Sequence, residues 1–316
     1  MQFFASPSEV PAGFGPSALT VGKFDGVHLG HRRVLDVLVT LAAERGLVPT
    51  VVTFDRNPLE LLAPDRCPAP LVSNAQKAEL LESAGVQATL MLEFDRALAA
   101  MSPEDFVREI LVGALNARVV LAGADFRFGA KGAGDVELLG RLGQELGFVV
   151  VPIDDVRADD AVTSRRASST WVRELLDEGD VRHAAVLLGR LPSIRSKVVP
   201  GEQRGRILGY PTANLDRDLE GFLPLDGVYA CWAIVDGVRF GAAVSIGNNP
   251  TFDGVPHHQV EAHLFDQQFD LYGRTVTLEF VDRIRAMNRF DSVDELVSQL
   301  RADDRDIRAL LAAEPA

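Results

Sequence analysis

Through the first half of the chain, short continuous apolar runs alternate with stretches in which apolar residues recur every three or four positions. The runs at residues 18–21, 48–54, 88–94, 118–122 and 148–153 have the length and β-branched content of buried strands. Between them, spacings such as Val34, Leu38, Leu41 and Ala42 predict helices, and Ser102-Pro103 supplies a cap residue followed by proline at a first helical position. Strands alternating with helices predict an α/β, Rossmann-like domain: a parallel sheet with right-handed crossovers. Ligands bind such sheets beyond the carboxyl ends of the strands. Polar, Gly- or Pro-containing segments fall there: residues 22–31 after the first strand, Asp55-Arg56-Asn57-Pro58 after the second, and 123–129 after the fourth.

Two further helices are predicted over 171–178 and 181–188, with Gly179 and Gly189 as their stops. The period then changes, and we divide the chain into domains at 1–187 and 188–316. Val228, Ala230, Trp232 and Ile234 alternate with less apolar neighbours, and an Asp236-Gly237 turn leads into a second run at 238–246, which predicts a hairpin. Runs at 259–265 and 275–281 flank a loop containing Gly273, so the second domain reads as an antiparallel barrel or sandwich. It is expected to end in helices, the first with a Ser292/Glu295 capping box and the last with an apolar face of Ile307, Leu310 and Leu311.

At 316 residues and 47% hydrophobic content the chain can form two cores. A formal net charge of −13 argues against a nucleic-acid partner, which requires clustered basic residues. The two cysteines, Cys67 and Cys231, suggest neither a disulfide framework nor a zinc site and suit a reducing cytoplasm. No signal peptide or membrane span is read from the pattern.

The richest chemistry lies in Val21-Gly22-Lys23-Phe24-Asp25-Gly26-Val27-His28-Leu29-Gly30-His31, a strand-to-helix corner. Gly22 and Gly26 permit sharp turns, the helix start favours phosphate oxygens, and His28 and His31, three residues apart, share one side of the first turn. Both imidazoles can stabilise charge developing on an attacked α-phosphate; the bland alternative is two histidines capping a helix. Ser168, Ser169 and Thr170 precede a helix between Arg165, Arg166 and Arg173, a second setting for phosphate.

In the second half, residues 205–215 form a glycine-bounded segment: Gly205 opens it, and Gly209, Tyr210 and Pro211 lead to Thr212 and Asn214, two apart and so on one face of an extended chain. Their neutral oxygens suit Mg²⁺ that completes its shell with water and phosphate. Glu261, on the less apolar face of its run, is placed to accept a proton from an attacking hydroxyl. His257, His258 and His263 lack the spacing of a metal site, and no Walker GxxxxGK[ST] sequence is present.

Taken in order, these segments resemble the prokaryotic bifunctional riboflavin kinase/FMN adenylyltransferases. The likeness covers residues 22–31, 123–129 and 168–173 in the first half. In the second it covers Pro211-Thr212-Ala213-Asn214, Asp226-Gly227-Val228-Tyr229, 246–252, Glu261 and Asp270-Leu271-Tyr272-Gly273. The resemblance implies a nucleotidylyltransferase domain followed by a β-barrel kinase domain, with riboflavin, FMN and ATP as substrates and Mg²⁺ as cofactor. It also implies that Gly22, Phe24, Asp25, Gly26, His28, His31, Asp125, Arg166, Ser168, Ser169, Thr170 and Arg173 hold ATP for adenylyl transfer. In the kinase, Gly205, Gly209, Tyr210 and Pro211 would lie at the nucleotide and flavin, Thr212 and Asn214 at the metal, and Glu261 would be the base. One departure stands out: Arg56-Asn57-Pro58 replaces the family's Pro-His-Pro, removing a phosphate-facing imidazole. Losing one such donor costs on the order of a hundredfold in rate. Two competing readings are a riboflavin kinase with a weak adenylyltransferase domain and a flavin- or nucleotide-sensing regulator without turnover.

Overall fold

A computed structural model describes residues 1–153, 165–201, 209–247, 259–267 and 270–313. These pack into two compact units, Met1–Ser168 and Ser169–Ala316.

The first unit is built on a six-stranded parallel sheet. Its strands are β1 (Gln2–Phe4), β2 (Ser17–Val21), β3 (Val48–Phe54), β4 (Ala88–Leu92), β5 (Ala117–Gly123) and β6 (Val149–Ile153), in the order β1-β4-β3-β2-β5-β6. The helices are α1 (Leu29–Arg45), α2 (Pro58–Leu62), α3 (Asn74–Ser83), α4 (Arg96–Ala100), α5 (Pro103–Asp105, running on as a π-helical stretch, Phe106–Ala114) and α6 (Val136–Leu146). Neighbouring residues of each central strand enter opposite cores, as a strand's two-residue period requires. Leu19, Val52 and Val120 pack with Phe106, Leu111 and Leu139, while Ala18, Val51 and Val119 pack with Leu35, Leu38 and Leu81. The chain winds outward from β2 to β3 and β4, then crosses back to β5 on β2's other side. The carboxyl ends of β2 and β5 therefore flank the switch point, where such sheets open a crevice.

The second unit opens with α7 (Ser169–Glu178) and α8 (Val181–Leu188), followed by β7 (Ser193–Val199), β8 (Ala213–Leu215), β9 (Gly227–Val235), β10 (Val238–Gly247), β11 (Gln259–Leu264), β12 (Thr275–Arg285) and α9 (Val293–Ala313). The six strands close in the order β10-β11-β8-β7-β12-β9, which decides for a barrel over a sandwich. Register aligns Tyr229, Cys231 and Ala233 with Val244, Ala242 and Phe240, and Val244 and Ile246 with Ala262 and Val260. All but Phe240 are buried. The opposite face of β9, Val228 and Ala230, packs with Phe265 and Val281 against Ile307 and Leu311 of α9.

The ending differs from expectation: α9 is one 21-residue helix rather than two. No glycine or proline interrupts the sequence there, and ion pairs carry the helix through its polar middle, Asp304–Arg308 one turn apart at 3.0 Å and Arg285 to the buried Asp303 at 2.8 Å. Ser292 accepts from the Glu295 amide at 3.2 Å, but the Glu295 carboxylate turns to the Asp291 amide instead of closing the box. α7 and α8 belong to the second unit by their packing: the Leu225 amide donates to the Leu176 carbonyl at 2.9 Å, and Arg182 pairs with Asp282 at 2.8 Å.

Candidate active site

The 22–31 corner lies at the carboxyl end of β2. Gly26 takes φ +78°, as expected of a turn glycine, but Gly22 does not adopt a positive φ; a Cβ there would lie 3.1 Å from the Phe24 ring, so it provides space. The strain falls on side-chain-bearing residues, Phe24 at φ +48° and the β-branched Val27 at +39°, each held by burial in the core. His28 stands at the N-cap of α1 without capping any amide, contrary to the bland alternative. Its ring stacks on His31 with centroids 3.8 Å apart and planes 24° from parallel, and His31 also leans on Phe24 at 5.1 Å. Burial, followed by the positive charge of His28, Arg166, Lys23 and Lys77, holds the His31 imidazole well below its usual pKa. At neutral pH this ring is therefore uncharged, and among the described residues its Nδ1 has no hydrogen-bond partner.

Gly30, which the sequence reading passed over, makes the stack possible: a Cβ there would lie 3.0 Å from His28 Cε1. On the neighbouring strand, Asp125 follows β5 and meets Arg166 at 3.1 Å. Those two expected residues come together beside the corner's His31, which feels the Arg166 charge. Ser168 ends the first unit; Ser169, Thr170 and the buried Arg173 start the second, the hydroxyls on the first turn of α7.

Beside the corner is a cleft of about 460 Å³ lined by Lys23, Asp25, Asp55, Asn57, Asn74 and Lys77 among others. Asp25 accepts from the Leu71 amide at 2.8 Å. Burial would raise the Asp55 pKa, but bonds from Arg56 and the Phe94 amide outweigh it and hold the carboxyl low. Lys77 is buried with its ammonium 2.9 Å from the Phe54 carbonyl; burial lowers its pKa against the pull of Asp25 and Asp55. The sequence holds a faint signal for it, a lysine one turn before Leu81 on the apolar side of α3. Asn57, the residue that departs from the family pattern, caps α2: its Oδ1 accepts from the Leu59 amide at 3.2 Å.

In the second unit the site is made by register. β8 pairs with β11 so that Asn214 lies opposite Glu261. One residue before β8, Thr212 Oγ1 donates to Glu261 Oε2 at 3.1 Å. The Asn214 amide fills the place of a side chain at Gly201, where a Cβ would be 2.2 Å from Nδ2, so this unanticipated glycine is needed for Asn214 to lie as it does. His263 Nδ1 donates to the Pro211 carbonyl at 2.8 Å, and its ring meets Tyr210 edge-on at 5.3 Å. Gly209 takes φ +85° with open space around it. Gly205, residues 248–252, His257 and His258 lie outside the described residues. In β9 of the same barrel, Tyr229 donates to the Leu225 carbonyl, and burial pushes its pKa up to about 12.

Among the described residues no group of three or more His, Cys, Asp or Glu could hold a metal. The available set, a hydroxyl and an amide carbonyl beside one carboxylate, suits a hard ion that keeps water and binds phosphate, and does not suit zinc.

Residues 12–167 match the family model for FAD synthetase, and residues 188–311 match the one for riboflavin kinase. The bifunctional riboflavin kinase/FMN adenylyltransferase of Escherichia coli K12 is 38% identical over 289 residues, 90% of each chain. That of Bacillus subtilis 168 is 33% identical over 294 residues, 92% of this chain and 91% of its own. A crystal structure described as a macrolide-efflux protein from Streptococcus pneumoniae shares the fold at a TM-score of 0.84 and 32% identity, covering 97% of this chain and 98% of its own. Among the described residues, no helix is long and apolar enough to cross a membrane. With both family matches in chain order and relatives above 30% identity along nine-tenths of its length, the chain belongs to the bifunctional riboflavin kinase/FMN adenylyltransferases.

Proposed function

We propose that the two halves of the chain carry successive reactions: residues 188–316 phosphorylate riboflavin with ATP to give FMN, and residues 1–187 transfer an adenylyl group from a second ATP to FMN, giving FAD and pyrophosphate. The boundary follows the start of the kinase match, although α7 and α8 pack with the second unit. The two free cysteines, Cys67 and Cys231, support a reducing cytoplasm for both reactions.

In the kinase half, Glu261 takes the proton of the ribityl hydroxyl as that oxygen attacks the γ-phosphorus and the bond to the β–γ bridging oxygen breaks, releasing ADP. One carboxylate oxygen is held by Thr212, which leaves the other for the substrate. Thr212 and Asn214 would hold Mg²⁺, which would supply positive charge to offset the charge of the phosphates. Gly205, Gly209, Tyr210 and Pro211 border the nucleotide and flavin.

In the adenylyltransferase half the FMN phosphate is already an ionised nucleophile, so the residues align and stabilise charge rather than remove a proton. His28 and His31 face the α-phosphate. Gly22, Phe24, Asp25, Gly26, Asp125, Arg166, Ser168, Ser169, Thr170 and Arg173 hold the nucleotide. A bound triphosphate supplies the negative charge that favours protonation of His31.

The observation that carries this reading is the Thr212 hydroxyl bonded to the Glu261 carboxylate, with Asn214 in register opposite Glu261, a set that phosphoryl transfer needs and flavin sensing does not. The test is a product assay with riboflavin and with FMN as separate starting substrates, each with ATP and Mg²⁺. FMN then FAD from the first, and FAD from the second, are expected, with chelation by EDTA stopping both. FMN supplied directly and returning no FAD would remove the adenylyl step; binding of both ligands without turnover would favour the regulator.

A further inference from the structure

The two-residue period of β11 puts Glu261, His263 and, just past the strand, Phe265 on one face. The first two of these each hold one group of the same short segment. Glu261 Oε2 accepts the Thr212 hydroxyl at 3.1 Å, and His263 Nδ1 lies 2.8 Å from the Pro211 carbonyl oxygen. A carbonyl only accepts, so the proton of this bond belongs to Nδ1. Proline has no N–H, so its carbonyl is the single backbone group by which residue 211 can be anchored.

The His263 ring is itself fixed. Tyr210 meets it edge-on from the held segment at 5.3 Å, and Phe265 meets it from its own strand at 5.8 Å. Phe265 is buried, and the Arg308 guanidinium of α9 lies over it at 4.3 Å. Barrel and terminal helix thus set the plane of an imidazole whose donor points at the peptide joining Pro211 to Thr212.

We propose that His263 is a positioning residue for phosphoryl transfer: by holding the Pro211 carbonyl it keeps the Thr212 oxygen within reach of both the metal–phosphate group and Glu261. The proposal rests on the kinase reading of Thr212 and Glu261. A site of this kind is sensitive to displacement, since about 1 Å of misplacement can cost on the order of a hundredfold in rate.

Three variants of the full chain separate the possibilities. His263→Phe keeps a flat ring between Tyr210 and Phe265 and removes the donor; His263→Asn restores a short N–H donor; Glu261→Gln tests the underlying reading. For each, kcat and the KM for Mg·ATP are measured for FMN formation, riboflavin affinity is read from flavin fluorescence, and FAD formation from supplied FMN reports on the other half. The expected result for His263→Phe is a loss of roughly tenfold to a hundredfold in kcat/KM for Mg·ATP, with riboflavin affinity and FAD formation unchanged. His263→Asn should recover most of that loss. Unaltered FMN formation in His263→Phe, or equal impairment of the Phe and Asn variants, overturns the proposal. If Glu261→Gln retains full FMN formation, the kinase reading itself has failed. If His263→Phe does not fold, as loss of both activities would reveal, His263→Asn decides alone: retention of FMN formation supports the donor's role, and loss overturns it.

Discussion

The two candidate sites are assembled in opposite ways. In the first unit, ten consecutive residues at the end of β2 contain the turn, the helix start and both imidazoles, so chain connectivity brings this central part together before Asp125 and Arg166 join it. In the second, Thr212 and Glu261 are 49 positions apart and meet because β8 and β11 pair in one register. A contiguous site can be read from a peptide but is damaged by backbone changes within it; a register-made site is silent in any one peptide and depends on the strands that bring its parts into line.

The sharpest way to break this comparison is to remove one group from the register-made site. Glu261→Gln keeps the shape and the Thr212 contact, and removes the base. FMN formation should fall by roughly 10²–10⁴-fold with riboflavin binding nearly intact and FAD formation from supplied FMN unchanged, measured by chromatography of the flavin products. Wild-type turnover would show that the pairing of β8 and β11 does not make the catalytic point.

A milder blow to the contiguous site is Gly30→Ala. The added methyl would stand 3.0 Å from Cε1 of the buried His28 imidazole, so that ring must give by a few tenths of an ångström and its stack on His31 shifts. We expect FAD formation to drop by roughly tenfold or more while FMN formation from riboflavin stays level. Equal activity would mean that the stack is incidental to adenylyl transfer.

The smallest effect concerns the proton on His31. Its pKa in the folded protein lies well below the unfolded value near 6.5, so below about pH 6.5 the unfolded chain binds a proton that the folded one refuses. The stability contributed by this group should therefore be fully present above that pH and be lost as pH falls toward 5, by at most about 1.4 kcal/mol per pH unit. His31→Phe should flatten that part of the profile in urea titrations at stepped pH, and an unchanged slope would mean that the ring titrates normally.

How far the sequence reveals each site follows from the same contrast. The corner, the alternation of strands and helices, and the change of period after Gly189 could all be read directly, because each is a local pattern. β7 was not: its buried positions are Ile194, Ser196 and Val198, and the central serine, which donates to the Asp216 and Asp218 carbonyls, breaks the apolar alternation. β1, at three residues, is too short to show a period. Thr212, Asn214 and Glu261 could be named as candidates, yet nothing in their spacing says that a strand pair joins them. Gly30 and Gly201 reveal their purpose only when a Cβ is placed on the folded backbone, and Lys77 only when the Phe54 carbonyl it meets is known. Asn57 shows the reverse: a visible departure from a pattern proves to have a local task in capping α2.

Closure of the barrel has a consequence for how the chain guards against sticking to itself. A ring of six hydrogen-bonded strands offers no row of open amides to a stranger, whereas the parallel sheet ends at β1 and β6 among the described residues. Phe3 and Val149 are about half exposed on those margins, and β6 reads Val-Val-Val before Pro152. That proline, with no N–H to offer, interrupts the ladder a second strand would need. The burden of preventing fibrous association thus falls on the first unit, where Pro152 stands in the outermost described strand.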